Sequence, residues 1–145
     1  MAARSARFIQ AFCKLGLVPD SGGTYFLPRA VGLAKAKALA LTGEALAAED
    51  AERWGLIWKV VDDDQLIVEA RAVAEQFAKG PAGGLAAIKH VLHQSLDNDL
   101  DAQLDLERDT QRTLGRTADY QEGVRAFFEK RAPQFMARKI DQGLT

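Results

Sequence analysis

Strand-forming segments are scarce in this chain, and that scarcity limits the folds open to it. The stretch Ala6-Arg7-Phe8-Ile9-Gln10-Ala11-Phe12 reads as a short strand or an extended edge. Leu56-Ile57-Trp58-Lys59-Val60-Val61, rich in β-branched and aromatic residues, is the one convincing strand. Two isolated strands do not make a stable sheet. An edge carrying Phe8, Ile9 and Phe12 therefore needs something to pair with, and the pattern is that of the second half of a larger α/β protein.

Helical signals fill the rest. After an extended segment at 15–19 that ends in proline, a short helix is expected over 22–31, punctuated by Gly32. Strong helix formers occupy 34–41, with Gly43 as the C-terminal cap. A further helix over 48–54 stops at Gly55. Asp62-Asp63-Asp64 ends the second strand and caps a helix over 65–79, where Leu66, Ala70, Val73 and Phe77 form one apolar face. The glycine-rich run 80–84 precedes a helix over 85–96 with Leu85, Ile88, Leu92 and Leu96 on one side. Asp97-Asn98-Asp99 is a turn before a more polar helix over 100–114. The last helix begins at Asp119, where Asp119 and Glu122 have capping-box spacing, and it is expected to bury Val124, Phe127 and Phe128 before stopping near Pro133. A tail follows over 134–145.

Bulk properties narrow the partners. With 145 residues, 48% hydrophobic and 27% charged, the chain suits one globular domain. Nineteen basic and 20 acidic residues leave a net charge of −1, so neither nucleic acid nor an anionic membrane is an expected partner. No apolar run reaches the roughly 20 residues of a membrane span, and the N-terminus lacks the apolar core of a secretory signal. Cys13 is the only cysteine, so a reducing, cytoplasmic setting is expected, with a buried inert thiol.

The segment with chemical promise is Leu17-Val18-Pro19-Asp20-Ser21-Gly22-Gly23-Thr24. An apolar run ends there in a carboxylate, and two glycines let the backbone approach a ligand closely. By its spacing Asp20 is first a good helix N-cap and second a candidate for proton transfer. His90 and His93 share a helix face but have no evident third ligand, so no metal site is expected. Trp54 and Trp58 are most simply packing residues.

The run Leu15-Gly16-Leu17-Val18-Pro19-Asp20-Ser21-Gly22-Gly23-Thr24-Tyr25-Phe26-Leu27-Pro28-Arg29-Ala30-Val31-Gly32 resembles the signature of the crotonase (enoyl-CoA hydratase/isomerase) superfamily. Leu41-Thr42-Gly43-Glu44, Trp54-Gly55-Leu56-Ile57 and the stretch from Glu122 to Phe135 continue the likeness in register. The resemblance implies a crotonase-like (ClpP/crotonase) α/β fold. This chain would be its C-terminal part, mostly α-helical with two short strands. Residues 1–79 would complete the core and carry the Asp20 loop; 80–145 would form a helical oligomerisation and CoA-contact region.

The family's first half carries a β-β-α spiral and two backbone N–H groups that hold the thioester oxygen. In hydratases one catalytic glutamate lies in that half, and the second falls at the position of Phe12, which cannot move a proton. Isomerase and dehalogenase branches place their acid at the position of Asp20. The Pro-Asp-x-Gly-Gly form, with Leu104-Asp105-Leu106-Glu107-Arg108-Asp109 and Arg116-x-Ala118-Asp119-Tyr120 downstream, is most similar to the branch acting on ring-1,2-epoxyphenylacetyl-CoA.

What the resemblance implies is an acyl-CoA isomerase of phenylacetate or fatty acid breakdown, with Asp20 as a partly buried proton shuttle. The alternatives are an enoyl-CoA hydratase or a non-catalytic oligomerisation and CoA-binding module. Phe127 and Lys130 match contacts to the adenine end of CoA. Gly22 and Gly23 would line the acyl pocket beside Pro19. Phe12, Tyr25 and Phe26 would flank an aromatic acyl group or pack in the core. No cofactor beyond the CoA of the substrate is implied, and the family's habit is a homo-trimer or hexamer.

Overall fold

Phe8 pairs with Leu46, in a segment that local sequence does not mark as a strand. In the computed structural model, which describes residues 1–135, Arg7–Ile9 (β2) runs antiparallel to Ala45–Ala47 (β3). A second ladder joins Ala2–Ala3 (β1) in parallel to Val60–Val61 (β4). Both expected strands are thus shorter than their sequence pattern, and each is paired with a segment that pattern misses.

The reasons are local. After β2 the chain turns into a 3-10 helix over Ala11–Leu15, closed by Gly16 at φ 69°. Before β4, Leu56 and Ile57 are taken up by the end of a helix. Ala48–Arg53 (α3) finishes in a Schellman motif: Gly55, at φ 81°, donates to Glu52 O at 2.9 Å, and Leu56 donates to Ala51 O at 2.8 Å. Leu56 and Ile57 then lean on the core instead of extending a ladder.

The described residues form two compact units, Met1–Arg71 and a second beginning at Ala72, with the boundary inside Leu66–Ala78 (α4). In the first, Gly23–Val31 (α1) and Leu33–Thr42 (α2) match the expected helices. Their inward residues Leu27, Val31, Ala36 and Leu39 cluster with Leu46 and Ala51, flanked by Phe8 and Trp54. Gly43, at φ 62°, ends α2 where any Cβ would lie 2.9 Å from Lys14 Cε and 3.0 Å from Cys13 Sγ, so a larger residue would be strained in its backbone and would have to displace the Lys14 side chain. Cys13 is half-buried, not buried, and Trp58 is exposed.

The acidic triplet has a different task from capping. Asp62 occupies the cap position without a side-chain cap bond. It pairs with Arg4 at 2.9 Å, Arg4 also reaches Glu49 at 3.1 Å, and Asp63 accepts from the Ser5 hydroxyl and backbone N–H. These groups tie the connection after β1 to the end of β4. The exposed pairs add little stability individually.

In the second unit, Ala82–Gln94 (α5) starts earlier than expected, taking in Gly83 and Gly84. Leu100–Leu114 (α6) is capped by Asp99, whose carboxylate accepts from Ala102 N at 2.9 Å. Gln103 on α6 donates to Val91 O of α5 at 3.3 Å. Ala118–Glu129 (α7) is capped by Thr117, not by an Asp119–Glu122 box. Glu122 instead accepts from the two terminal guanidinium nitrogens of Arg131, at 2.6 and 3.1 Å, and from the N–H of Gln134 at 2.8 Å.

The burial expected on α7 is not found. Phe127 and Phe128 are 79% and 77% exposed, and Ala126 is the one buried residue of this unit among the described residues. Ile88 and Leu92 on α5, Leu96 in the turn after it, and Phe77 on α4 are likewise exposed, because no described element of the unit covers them. Within the expected tail, 136–145 lie outside the described residues.

Two predictions follow from this packing. Leu46→Ala empties the centre of the first unit's core and is expected to cost about 2–4 kcal/mol, read by denaturant unfolding; a loss near zero would mean that the β2–β3 ladder does not depend on that side chain. The second concerns acid. Hydrogen bonds from Arg131, then from Gln134 N, hold Glu122 down at about 2 from its ordinary 4.5. A depressed carboxylate contributes stability that is fully present above its unfolded value and is lost as pH falls through the folded one. The contribution should therefore disappear between about pH 4.5 and 2, and Glu122→Gln should flatten that part of the acid-unfolding curve.

Candidate functional site

The turn that carries Asp20 has left-handed backbone at two successive residues. Ser21 has φ 51° and Gly22 φ 81°, and Asp20 O accepts from Gly23 N at 2.8 Å. These are the features of a type I′ turn. Gly22 suits that conformation, whereas Ser21 carries a strain of about 1 kcal/mol there. The helix then opens with Tyr25 N and Phe26 N both donating to Gly22 O at 2.9 Å.

The turn is packed from two sides. A Cβ on Gly22 would meet the Phe26 ring at 3.0 Å, and one on Gly23 would meet Pro19 Cβ at 3.1 Å. Phe26 stands edge-on to Tyr25, with ring centroids 5.1 Å apart. Arg29 lies 3.5 Å over the Tyr25 ring and donates to Tyr25 O at 3.0 Å. Backbone glycine, ring and cation are thus stacked in sequence behind the turn.

Asp20 is not the helix cap. Gly22 holds that position, without a side-chain cap bond, and Asp20 sits two residues ahead of it. Asp20 is exposed rather than partly buried, on a turn that sets it two residues ahead of the α1 cap. Beside it lies an apolar groove of about 400 Å³ between α1 and α2, walled by Pro19, Gly23, Leu27, Leu33, Lys37 and Leu41. Its neighbours Pro19 and Gly23 line this groove; Asp20 itself does not.

The other sequence-derived candidates are placed as follows. Phe12 is half-buried in the 3-10 turn over Ala11–Leu15. Tyr25 is half-buried under Arg29. Phe127 and Lys130 belong to the second unit. Phe127 stands edge-on to Phe128, with centroids 5.8 Å apart, on the wall of an apolar groove of about 680 Å³ that also takes in Tyr120, Val124 and Phe135. Lys130 is the left-handed cap of α7 at φ 53°, a position glycine usually fills. Ser21 and Lys130 are the two non-glycine residues with positive φ among the described residues. Sequence reasoning missed both backbone roles; the doubled glycine after Ser21 was the available sign of a left-handed turn.

His90 and His93 are exposed on α5, and no cluster of three or more His, Cys, Asp or Glu that would hold a metal occurs among the described residues. No helix among them is long and apolar enough to cross a membrane.

Comparison with known proteins agrees with the motif and the architecture. The family described as enoyl-CoA hydratase/isomerase matches residues 1–138. A 1,2-epoxyphenylacetyl-CoA isomerase of Escherichia coli K12 is 54% identical over 138 residues, covering 95% of this chain and 53% of that protein. A trans-2-decenoyl-[acyl-carrier-protein] isomerase of Streptococcus mutans is 41% identical, with 95% and 52% covered. The crystal structure of an enoyl-CoA hydratase from Bacillus anthracis superposes with a TM-score of 0.88 at 33% identity, covering 92% of this chain and 52% of that one. The chain spans about half the length of these relatives.

Ser21 provides a test of the turn. Ser21→Gly removes the left-handed strain and is expected to raise stability by up to about 1 kcal/mol, whereas Ser21→Val should lower it by about 1–2 kcal/mol. Equal unfolding midpoints for the two variants would contradict the turn geometry.

Proposed function

The chain belongs to the enoyl-CoA hydratase/isomerase (crotonase) family, and from that premise we propose that it carries the acid–base residue of an acyl-CoA isomerase. The observation behind this reading is Asp20. It is an acid on a left-handed turn, two residues ahead of a helix it does not cap, with no hydrogen-bond partner for its side chain at the helix start. A carboxylate not consumed by capping is free to exchange a proton.

The chemistry follows from the thioester. Its carbonyl acidifies the neighbouring C–H once negative charge on the oxygen is stabilised by fixed N–H donors. In the family fold those donors belong to the half this chain does not span. Asp20 then takes a proton from one carbon of an enoyl chain and returns it to another; for an epoxyphenylacetyl thioester it assists ring opening. Pro19, Gly22 and Gly23 are the proposed neighbours of the acyl group, with Phe12 and Tyr25 as apolar flanks. Phe127 and Lys130 are the proposed contacts for the adenine end, and a homo-trimer or hexamer is the proposed assembly. Coenzyme A enters as part of the substrate, with no other cofactor.

Hydration of an enoyl thioester is the second reading, favoured by the hydratase among the structural relatives. Phenylalanine at position 12 disfavours it, since water addition by two carboxylates needs a proton carrier there. A non-catalytic CoA-binding or oligomerisation module is the third.

Asp20→Asn in the protein is expected to lower isomerisation of an enoyl- or epoxyphenylacetyl-CoA by about 100-fold or more while thioester binding is kept. Near-normal turnover would refute the role of Asp20. Product analysis with a crotonyl thioester separates the first two readings, since a 3-hydroxyacyl product would mean hydration.

A further inference from the structure

We propose that Phe26 is a positioning residue for Asp20: its ring, seated on Gly22, keeps the Ser21–Gly22 turn closed, and the closed turn keeps the Asp20 carboxylate off the N-terminus of α1. The proposal deepens the reading of Asp20 as the proton carrier and rests on it.

An aspartate shortly before a helix ordinarily settles into the cap, where its oxygens accept orphan N–H groups. Here the cap position is occupied by Gly22 in a left-handed conformation, and no side chain accepts at the helix start. Ser21 is held at φ 51°, where a serine does not rest unless its surroundings impose it. Two contacts do so. Pro19 closes on Gly23 from one side, and the Phe26 ring closes on Gly22 from the other, each near enough that a Cβ would push it back by a few tenths of an ångström.

Phe26 is itself braced. Its ring meets Tyr25 edge-on, and Tyr25 is held under Arg29. Yet Phe26 is 58% exposed, outside the core cluster formed by Leu27 and Val31 of the same helix. Within this unit the ring's contacts are therefore with the turn and with Tyr25 rather than with the core. If that contact is removed, Ser21 can relax to ordinary backbone. Asp20 then swings toward the cap and spends its oxygens on helix N–H groups.

Two variants of Phe26, read beside Asp20→Asn, test this. Phe26→Ala should lower kcat about tenfold or more with KM for the thioester within about twofold, because the reacting group is misplaced while binding surfaces remain. Phe26→Leu, which keeps an apolar cover over Gly22, should recover most of that loss. A backbone readout independent of turnover is the amide exchange of Gly23, whose N–H is bound by Asp20 O: it should quicken in Phe26→Ala and return toward wild type in Phe26→Leu. A rise in KM at unchanged kcat would overturn the proposal by making Phe26 a substrate contact. Normal turnover in Phe26→Ala beside a dead Asp20→Asn would also overturn it and leave the isomerase reading standing. If Asp20→Asn is itself active, the isomerase reading falls, and unchanged Gly23 exchange in Phe26→Ala would then refute the turn-closing role by itself.

Discussion

The first unit depends on Leu46. Its backbone belongs to the three-residue ladder opposite Phe8, and its side chain, 4% exposed, belongs to the core of α1 and α2. A ladder that short has no stability of its own. It persists because its inward residue is shared with a helical cluster that excludes water, so here helices stabilise strands. The 3-10 turn after β2 packs against α2, and the chain from it through Pro19 leads into the Asp20 turn. A misplaced Leu46 would therefore disturb more than a strand.

The chain spends backbone strain in two places. Ser21 and Lys130 take left-handed conformations that glycine would adopt freely, and each lies in or beside a candidate substrate contact. Around Ser21 the strain is held by side-chain contacts, with Pro19 and Phe26 pressing on the glycines. Around Lys130 it is held by backbone bonds: Arg131 N donates to Ala126 O and Lys130 N to Phe127 O, while the Arg131 guanidinium grips Glu122 and Glu129. That grip fixes the chain leaving α7 and leads it to Phe135, which lies against Gly123. The candidate acid and the candidate adenine contacts belong to separate units, and each has its own local support.

Much of this was legible in the residues. α6 has the expected bounds, and α1, α2 and α3 agree to within a residue or two, because alanine, leucine and lysine runs, glycine stops and an aspartate cap act through neighbouring backbone. The Pro-Asp-Ser-Gly-Gly segment marked the candidate site for the same reason: an acid followed by paired glycines is a local signal. Strand partners were not legible. Ala2–Ala3 and Ala45–Ala47 have no β-branched residues, and they are strands only because Val60–Val61 and Arg7–Ile9 present backbone to them.

Sequence by itself determined the family, the order of helices and the place of the candidate acid, since all three rest on residue type and short spacing. Tertiary structure alone decided which apolar faces are covered. Periodicity marked Phe77, Ile88, Leu92, Phe127 and Phe128 as inward, but a hydrophobic stripe specifies only that a face prefers to leave water, not that the unit offers it a partner. It also decided that Asp20 stands free of α1. Capping depends on the φ angles of the two residues that follow, and those are set by the Phe26 ring and Pro19 pressing on the turn.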